Sequence, residues 1–263
     1  MIRYAVLGSG SSGNSYIISY NGTSILLDAG FSLKQIKERV AEAQLDFSSI
    51  QALFITHLHP DHARGAGVFA RQTQLPVYVD HHIGDNLTPF ASLRIPPQCI
   101  RHFKGGEDVV IGDFVVSSFS TSHDSPHSVG FLISVKGRKF LLLTDTGMIY
   151  PMMNALANQS DVLFLEANYD ISMLENGPYP YPLRKRISGV NGHLSNNDAI
   201  DFLNEIITDK EQHVYFCHLS KTNNEEDVLL TSCKKRLRWK GEQTICRNGN
   251  LYASSLHVEE GNQ

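Results

Sequence analysis

The tightest constraint on this chain is the segment Thr56-His57-Leu58-His59-Pro60-Asp61-His62. His57, His59, Asp61 and His62 place three imidazoles and one carboxylate inside six residues. Neutral imidazole and carboxylate are the usual nitrogen and oxygen ligands of zinc and similar divalent ions. The apolar run 52–55 leads straight into the segment and reads as a short buried strand. Residues 65–74 behind it read as a helix. A fold that carries this segment must end a strand at the site and turn sharply away. Such a loop lets His57 and His59 face one ion while Asp61 and His62 face a second. The bland alternative is a polar surface loop that happens to be rich in histidine, but a random loop rarely reaches this density of ligating groups.

Other polar side chains stand just past apolar runs. Asp28 follows the strand-like run 23–27, His123 follows 114–119, Asp145 follows 139–143 and His218 follows 213–216. Singly, each is more often a cap or a loop residue than a ligand. Together they share one context, and sites gather where strand ends converge.

The rest of the pattern alternates strands and helices. Residues 3–7, 15–20 and 23–27 read as strands, with Asn21-Gly22 as a hairpin turn. Residues 32–43 have helical spacing, with Leu33, Ile36, Val40 and Ala43 on one side. Strands are expected at 77–79, 109–111, 114–119, 129–135, 139–143, 162–165 and 213–216, and helices at 149–157, 196–207 and 224–237. Runs 243–247 and 251–253 read as a final hairpin around Asn248-Gly249-Asn250. Two β-rich blocks are each followed by helices, so two sheets packed face to face with helices outside would bury them. No linker or low-complexity tract interrupts the chain, and one domain over 1–263 is expected.

Composition sets wider bounds. The chain has 263 residues, 41% hydrophobic and 19% charged, as ordinary globular proteins do. Its net charge of −4 lacks the basic excess of a strongly nucleic-acid-binding surface, although a local basic groove is compatible with it. Cys99, Cys217, Cys233 and Cys246 form no C-x-x-C pair and suggest no disulfide framework. Residues 1–7 lack the apolar core of a signal peptide, and no apolar run reaches bilayer length. A cytoplasmic protein without a membrane partner is expected. Oligomeric state is not encoded in any of these features.

Gly8-x-Gly10-x-x-Gly13 follows a strand, and Asp28 lies 20 residues after Gly8, as in a dinucleotide-binding fingerprint. That fingerprint needs a helix after the glycines. Residues 14–27 are instead β-branched and aromatic-rich, with Asn21-Gly22 in the middle. A tight loop at the edge of the site is the better reading.

The ordered set Asp28, His57-x-His59-x-Asp61-His62, His123, Asp145, His218 resembles the metallo-β-lactamase superfamily. In particular it resembles the YycJ/VicX type of small metal-dependent hydrolases. Gly8-Ser9-Gly10-Ser11-Ser12-Gly13-Asn14, the run 164–174, Gly192-His193-Leu194-Ser195-Asn196 and the run 216–224 are similar to it. The resemblance implies an α/β fold, the four-layer αββα sandwich, with the metal site at one edge of the sheets. It implies that His57, His59 and His123 hold one metal, that Asp61, His62 and His218 hold the other, and that Asp145 bridges them. Asp28 would orient the loop by hydrogen bonds. His127, four residues after His123, competes for the third histidine position; the Ser-His-Asp context favours His123. The metals would be two divalent ions, zinc or manganese, with iron also compatible with such ligands.

The subgroup is linked to exonuclease activity on DNA and is similar to ribonuclease Z, ribonuclease J and cyclic phosphodiesterases. The resemblance thus implies phosphodiester hydrolysis, with nucleic acid as substrate. Asp61 would accept a hydrogen bond from the attacking water. His193 would donate a proton to the leaving oxygen or hold the phosphate; the bland reading makes it a polar residue flanking a helix capped by Ser195 or Asn196. Arg184-Lys185-Arg186 and the run 234–240 are candidate contacts for a phosphate backbone, although charged runs are more commonly solvated faces. Two other activities fit the same ligands: hydrolysis of a small cyclic phosphodiester, thioester or lactone, and metal binding in a regulatory protein without turnover.

Overall fold

The computed structural model describes residues 1–84 and 87–258. The first half of the chain runs β1 (Ile2–Gly8), β2 (Ser15–Tyr20), β3 (Thr23–Leu27), α1 (Leu33–Glu42), β4 (Ile50–Phe54), α2 (Pro60–Ala63), α3 (Ala66–Thr73), β5 (Val77–Asp80), α4 (Thr88–Leu93) and β6 (Ile100–Phe103). The second half runs β7 (Asp108–Ile111), β8 (Phe114–Ser120), β9 (Val129–Val135), β10 (Arg138–Leu143), α5 (Pro151–Gln159), β11 (Val162–Glu166), α6 (Ile171–Asn176), α7 (Tyr181–Ile187), α8 (Asn196–Asn204), β12 (His213–Cys217), α9 (Glu226–Arg236), β13 (Glu242–Ile245) and β14 (Tyr252–Leu256).

The strands form two seven-stranded sheets, in the orders β14-β1-β2-β3-β4-β5-β6 and β13-β12-β11-β10-β9-β8-β7. Each sheet grows in the same way. A hairpin comes first: β2-β3 turns at Asn21-Gly22, with φ of 48° and 76°, and β9-β10 turns at Lys136-Gly137, with the same φ values. Paired left-handed residues match the twist of the strands they join. Three parallel strands are then added beside β3 in one sheet and beside β10 in the other. Parallel neighbours need long crossovers, and most of these carry the helices.

Side-chain alternation sorts the apolar residues into three layers. Tyr16, Ile18, Phe54, Phe131, Phe140 and Phe164 point between the sheets. Their neighbours Ile17 and Leu53 point to α1 and α3, which contribute Ile36, Val40 and Phe69. On the other side, Leu141, Leu163 and Phe216 meet Met153 of α5, Ile200 and Leu203 of α8, and Leu229 of α9. Each large side chain buried this way contributes roughly 1.5–3 kcal/mol. The result is a four-layer αββα sandwich. Among the described residues no helix is long and apolar enough to cross a membrane.

One expectation fails. The runs after residue 241 do not form a hairpin. Strand β13 pairs parallel with β12 in the second sheet, and β14 crosses over to pair antiparallel with β1 in the first. An Asn-Gly turn serves a corner between sheets as well as a hairpin. Here Asn248 is used as a tether: its Nδ2 donates to the Leu219 carbonyl at 2.7 Å, and its Oδ1 accepts from the Ser12 hydroxyl at 2.8 Å. Helices α4, α6 and α7 and strand β6 were also not expected. They are short, at four to seven residues, too brief for hydrophobic periodicity to declare them.

Candidate metal centre

The ends of β3, β4, β8, β10 and β12 converge on one face of the sandwich. Asp28, Asp145 and His218, just past β3, β10 and β12, all have left-handed backbones, with φ of 58°, 58° and 57°. This conformation costs an L-residue about 1–2 kcal/mol, least for Asp and Asn. It turns the chain abruptly at each strand end. The glycine loop after β1 leads into β2, not into a helix, so the dinucleotide reading is excluded by the backbone itself.

Asp28 is fully buried and joins two strand ends. Its carboxylate accepts the Thr56 N–H at 2.8 Å, the Thr56 hydroxyl at 2.9 Å and His62 Nδ1–H at 2.7 Å. Held this way, His62 turns Nε2 toward the centre. Pro60 starts α2, where its fixed φ suits a first helical turn, and that single turn carries Asp61 and His62. The turn packs so closely on Gly30 that a Cβ there would lie 1.8 Å from the Asp61 carbonyl oxygen.

The donor atoms form overlapping groups within 4.8 Å of one another: His57, His59 and His123; Asp61, His62 and His218; and His57, His62 and Asp145. His123 Nδ1 faces the Gly192 carbonyl at 3.0 Å, leaving Nε2 at 3.2 Å from His59 Nδ1. Asp145 lies between the groups. Its Oδ2 is 3.2 Å from His62 Nε2, and its Oδ1 is 3.7 Å from His123 Nε2 and 3.5 Å from His218 Nδ1. His218 Nε2 stands 3.5 Å from Asp61 Oδ2. His127 is elsewhere, stacked on His82.

Two buried atoms at the heart of the cluster, His57 Nε2 and Asp145 Oδ2, have no hydrogen-bond partner. Buried polar atoms are rarely left so. A nitrogen lone pair and a carboxylate oxygen, ringed by imidazoles and carboxylates, suit divalent metal.

The electrostatics point the same way. Burial, with help from the neighbouring imidazoles of His62 and His123, holds His57 well below the usual imidazole range, so it is neutral. Burial also works against charge on His62, but Asp145 and Asp28 outweigh it and push His62 up to about 9. His218 is raised in the same way, by Asp145, Asp61 and Glu166 against the cost of burial. Asp145 and Asp61 resist burial and stay ionised because of His218 and His62. The acids thus outbid burial for positive charge, which a metal would supply in place of protons.

Sequence reasoning missed several contributors. Glu166, fully buried at the end of β11, receives His193 Nδ1–H at 2.7 Å and stands 3.0 Å from His218 Nδ1, while the Thr146 and Leu194 N–H groups donate to its other oxygen at 3.1 Å. Asn14, in the glycine loop, accepts the Gly10 N–H at 2.7 Å and brings its Nδ2 to 2.9 Å from His62 Nε2. Ser9 Oγ accepts the His218 N–H at 2.7 Å. Asp124 sits 3.4 Å from His59 Nε2 and also binds Arg186. The signal that could have found Glu166 is a carboxylate closing an apolar strand run.

A cavity of about 220 Å³ opens onto the centre, lined by His59, Asp61, Asp145, His193 and His218 and also by Ser11, Asp124, Tyr179, Arg186 and Lys221. Of the two basic runs, the one on α7 therefore reaches this cavity through Arg186. The other closes α9, where Arg236 pairs with Asp201 at 2.9 Å, and continues into Arg238 and Lys240, which line a separate cavity.

The architecture matches that of the metallo-β-lactamase fold protein YhfI of Bacillus subtilis, with a TM-score of 0.70, 17% identity, and coverage of 96% of this chain and 99% of that one. The model of the family described as β-lactamase superfamily domain matches residues 23–219. The chain belongs to the metallo-β-lactamase superfamily. Within this superfamily it is 32% identical over 240 residues to exodeoxyribonuclease YycJ of Bacillus anthracis, covering 91% of this chain and 90% of the relative. It is 33% identical over 227 residues to exodeoxyribonuclease WalJ of Streptococcus pneumoniae, covering 86% and 84%. The matched span includes the strand ends that carry Asp28, His57–His62, His123, Asp145 and His218. Divalent metal binding follows from superfamily membership together with these donor groups.

Proposed function

We propose that this chain is a metal-dependent phosphodiester hydrolase, a nuclease that trims DNA from a 5′ end, with two divalent ions of zinc or manganese. The observation that carries the reading is the pair of orphaned buried ligand atoms, His57 Nε2 and Asp145 Oδ2, inside overlapping ligand groups beside a cavity that Arg186 and Lys221 help to line. The exodeoxyribonuclease names of its relatives supply the substrate class.

In this reading His57, His59 and His123 would hold one ion and Asp61, His62 and His218 the other, and Asp145 would serve both. Bound metal would lower the pKa of a water and neutralise charge on phosphate oxygens. The remaining work belongs to side chains. Asp61 would accept a hydrogen bond from the attacking water and set its direction. Glu166 accepts a hydrogen bond from Nδ1–H of His193, so Nε2 is the nitrogen left to face the cavity. From there it donates a proton to the leaving oxygen or holds the phosphate. Asp28 fixes the tautomer and aim of His62. Arg186 and Lys221 offer charge to the phosphate backbone, and Tyr179 offers a face for a base.

The test is metal analysis coupled to nuclease assays on single- and double-stranded DNA and RNA with defined 5′ ends. Release of mononucleotides from 5′-labelled DNA is expected, together with loss of activity on chelation. Hydrolysis of a thioester without hydrolysis of bis-p-nitrophenyl phosphate or any nucleic acid would overturn the assignment.

A further inference from the structure

The chain has twelve histidines, and six of them belong to the centre or its cavity. Four others, His81, His82, His102 and His127, gather around Asp80 at the end of β5. Asp80 is largely buried, with its side chain 10% exposed. Its Oδ1 accepts the His82 N–H at 2.9 Å and lies 2.9 Å from His82 Nδ1 and 3.6 Å from His81 Nδ1. His102, on β6, brings Nδ1 to 3.4 Å from the Asp80 carbonyl. His127 arrives from the loop between β8 and β9, and its ring stacks on His82 with centroids 4.6 Å apart. Among the described residues no lysine or arginine pairs with Asp80; its only ion-pair neighbours are histidines.

We propose that Asp80, His82 and His127 form a further divalent transition-metal site, distinct from the catalytic centre, which clips the end of β5 to the loop that carries His123 and Asp124. Ligating atoms of the three lie within 4.8 Å of one another. Around zinc, with bonds of about 2.0–2.2 Å, neighbouring ligand atoms sit roughly 3–3.5 Å apart. The Asp80–His82 pair is already at that scale. The exposed side chains of His82 and His127 are free to close the remainder by rotation. Two imidazoles and one carboxylate select zinc, cobalt, nickel or copper over magnesium and calcium, which demand oxygen. The ligands come from two segments far apart in sequence, so metal here would join them as a staple does. The same loop is also tied down at Ser122, whose Oγ donates to the Val190 carbonyl at 2.7 Å, at His123 and Asp124 through Gly192 and Arg186, and at Ser125, whose Oγ accepts the Leu58 N–H at 3.4 Å.

The test is zinc stoichiometry of the full chain, stripped with chelator and equilibrated against Zn²⁺. The comparison is with the double variant His82→Gln, His127→Asn. Asparagine tolerates the left-handed φ of 56° at position 127. Wild type is expected to retain one zinc equivalent more than the variant, with unchanged circular dichroism. The same one-equivalent difference is expected in a His59→Ala background, which separates this site from the catalytic centre. Cobalt substitution should lose one set of ligand-field bands in the double variant. Equal zinc content in the two proteins, in either background, would overturn the proposal.

Discussion

Glu166 Oε1 accepts the Nδ1 proton of His193 at 2.7 Å and stands 3.0 Å from Nδ1 of His218. One buried carboxylate therefore touches both a residue assigned to proton transfer and a residue assigned to metal. The two roles should separate on mutation. His193→Ala is expected to keep full metal content and to lose about 10²–10⁴-fold in turnover. Glu166→Gln should lose turnover and also weaken metal retention through His218. Metal analysis beside kcat on a DNA substrate reads both. Full activity of His193→Ala would remove it from the mechanism.

His59 and Asp145 belong to the ligand groups themselves. His59→Ala or Asp145→Ala should lose metal from this centre and hydrolysis together. Asp145→Ala should show the larger metal deficit, because its oxygens face both groups. Inductively coupled plasma analysis after gel filtration checks this. A variant that keeps all its metal while losing activity would contradict the ligand assignment.

Metal uptake should release protons. Burial disfavours a charged His62, yet Asp145 and Asp28 push it up to about 9 from an ordinary 6.5. In the metal-free chain the stabilisation tied to this protonation is complete below about 6.5 and disappears as pH rises through about 9. Chelated protein should thus lose stability over that window in urea unfolding, while metal-loaded protein should not. His57, lowered by burial, acts in the opposite sense and only below its ordinary 6.5. Calorimetric titration near neutral pH, repeated in buffers of different ionisation heat, should show proton release on metal binding.

Gly30→Ala would drive a methyl group to 1.8 Å from the Asp61 carbonyl oxygen and 2.5 Å from the Asn14 nitrogen. Backbone on both sides leaves no side chain to move aside. The expected cost is at least about 1–3 kcal/mol, seen as a lower Tm, with metal affinity reduced because Asp61 and His62 shift together.

Much of this was legible because ligands at strand ends follow apolar runs that declare themselves. His57–His62, Asp145 and His218 are marked by their position after such runs, and the two sheets by their hairpins and alternation. Glu166 was hidden for the same reason. It closes the run 162–166 and reads as the polar end of a strand, and its partners, Thr146, His193, Leu194 and His218, come from three other segments of the chain. Asn14 was hidden inside a glycine loop whose spacing suggests a nucleotide. The corner at Asn248 was misread because turn chemistry is local, whereas the choice of sheet depends on which edges stand open. Asp124 acquires its place only when α7 brings Arg186 to it, a contact 62 residues away in sequence.

The pairing of Ile2 with Leu256 and of Val6 with Tyr252 has a consequence for how the molecule is made. Strand β1 leaves the ribosome long before β14, the strand that covers its outer edge. Throughout synthesis an apolar ribbon, Ile2 to Leu7, waits with one side unsatisfied, and unpaired edges of this kind recruit other chains. Closure over so long a separation is slow to find. The catalytic face can be assembled from strand ends before that closure, but the sheet beneath it is sealed only when β14 arrives.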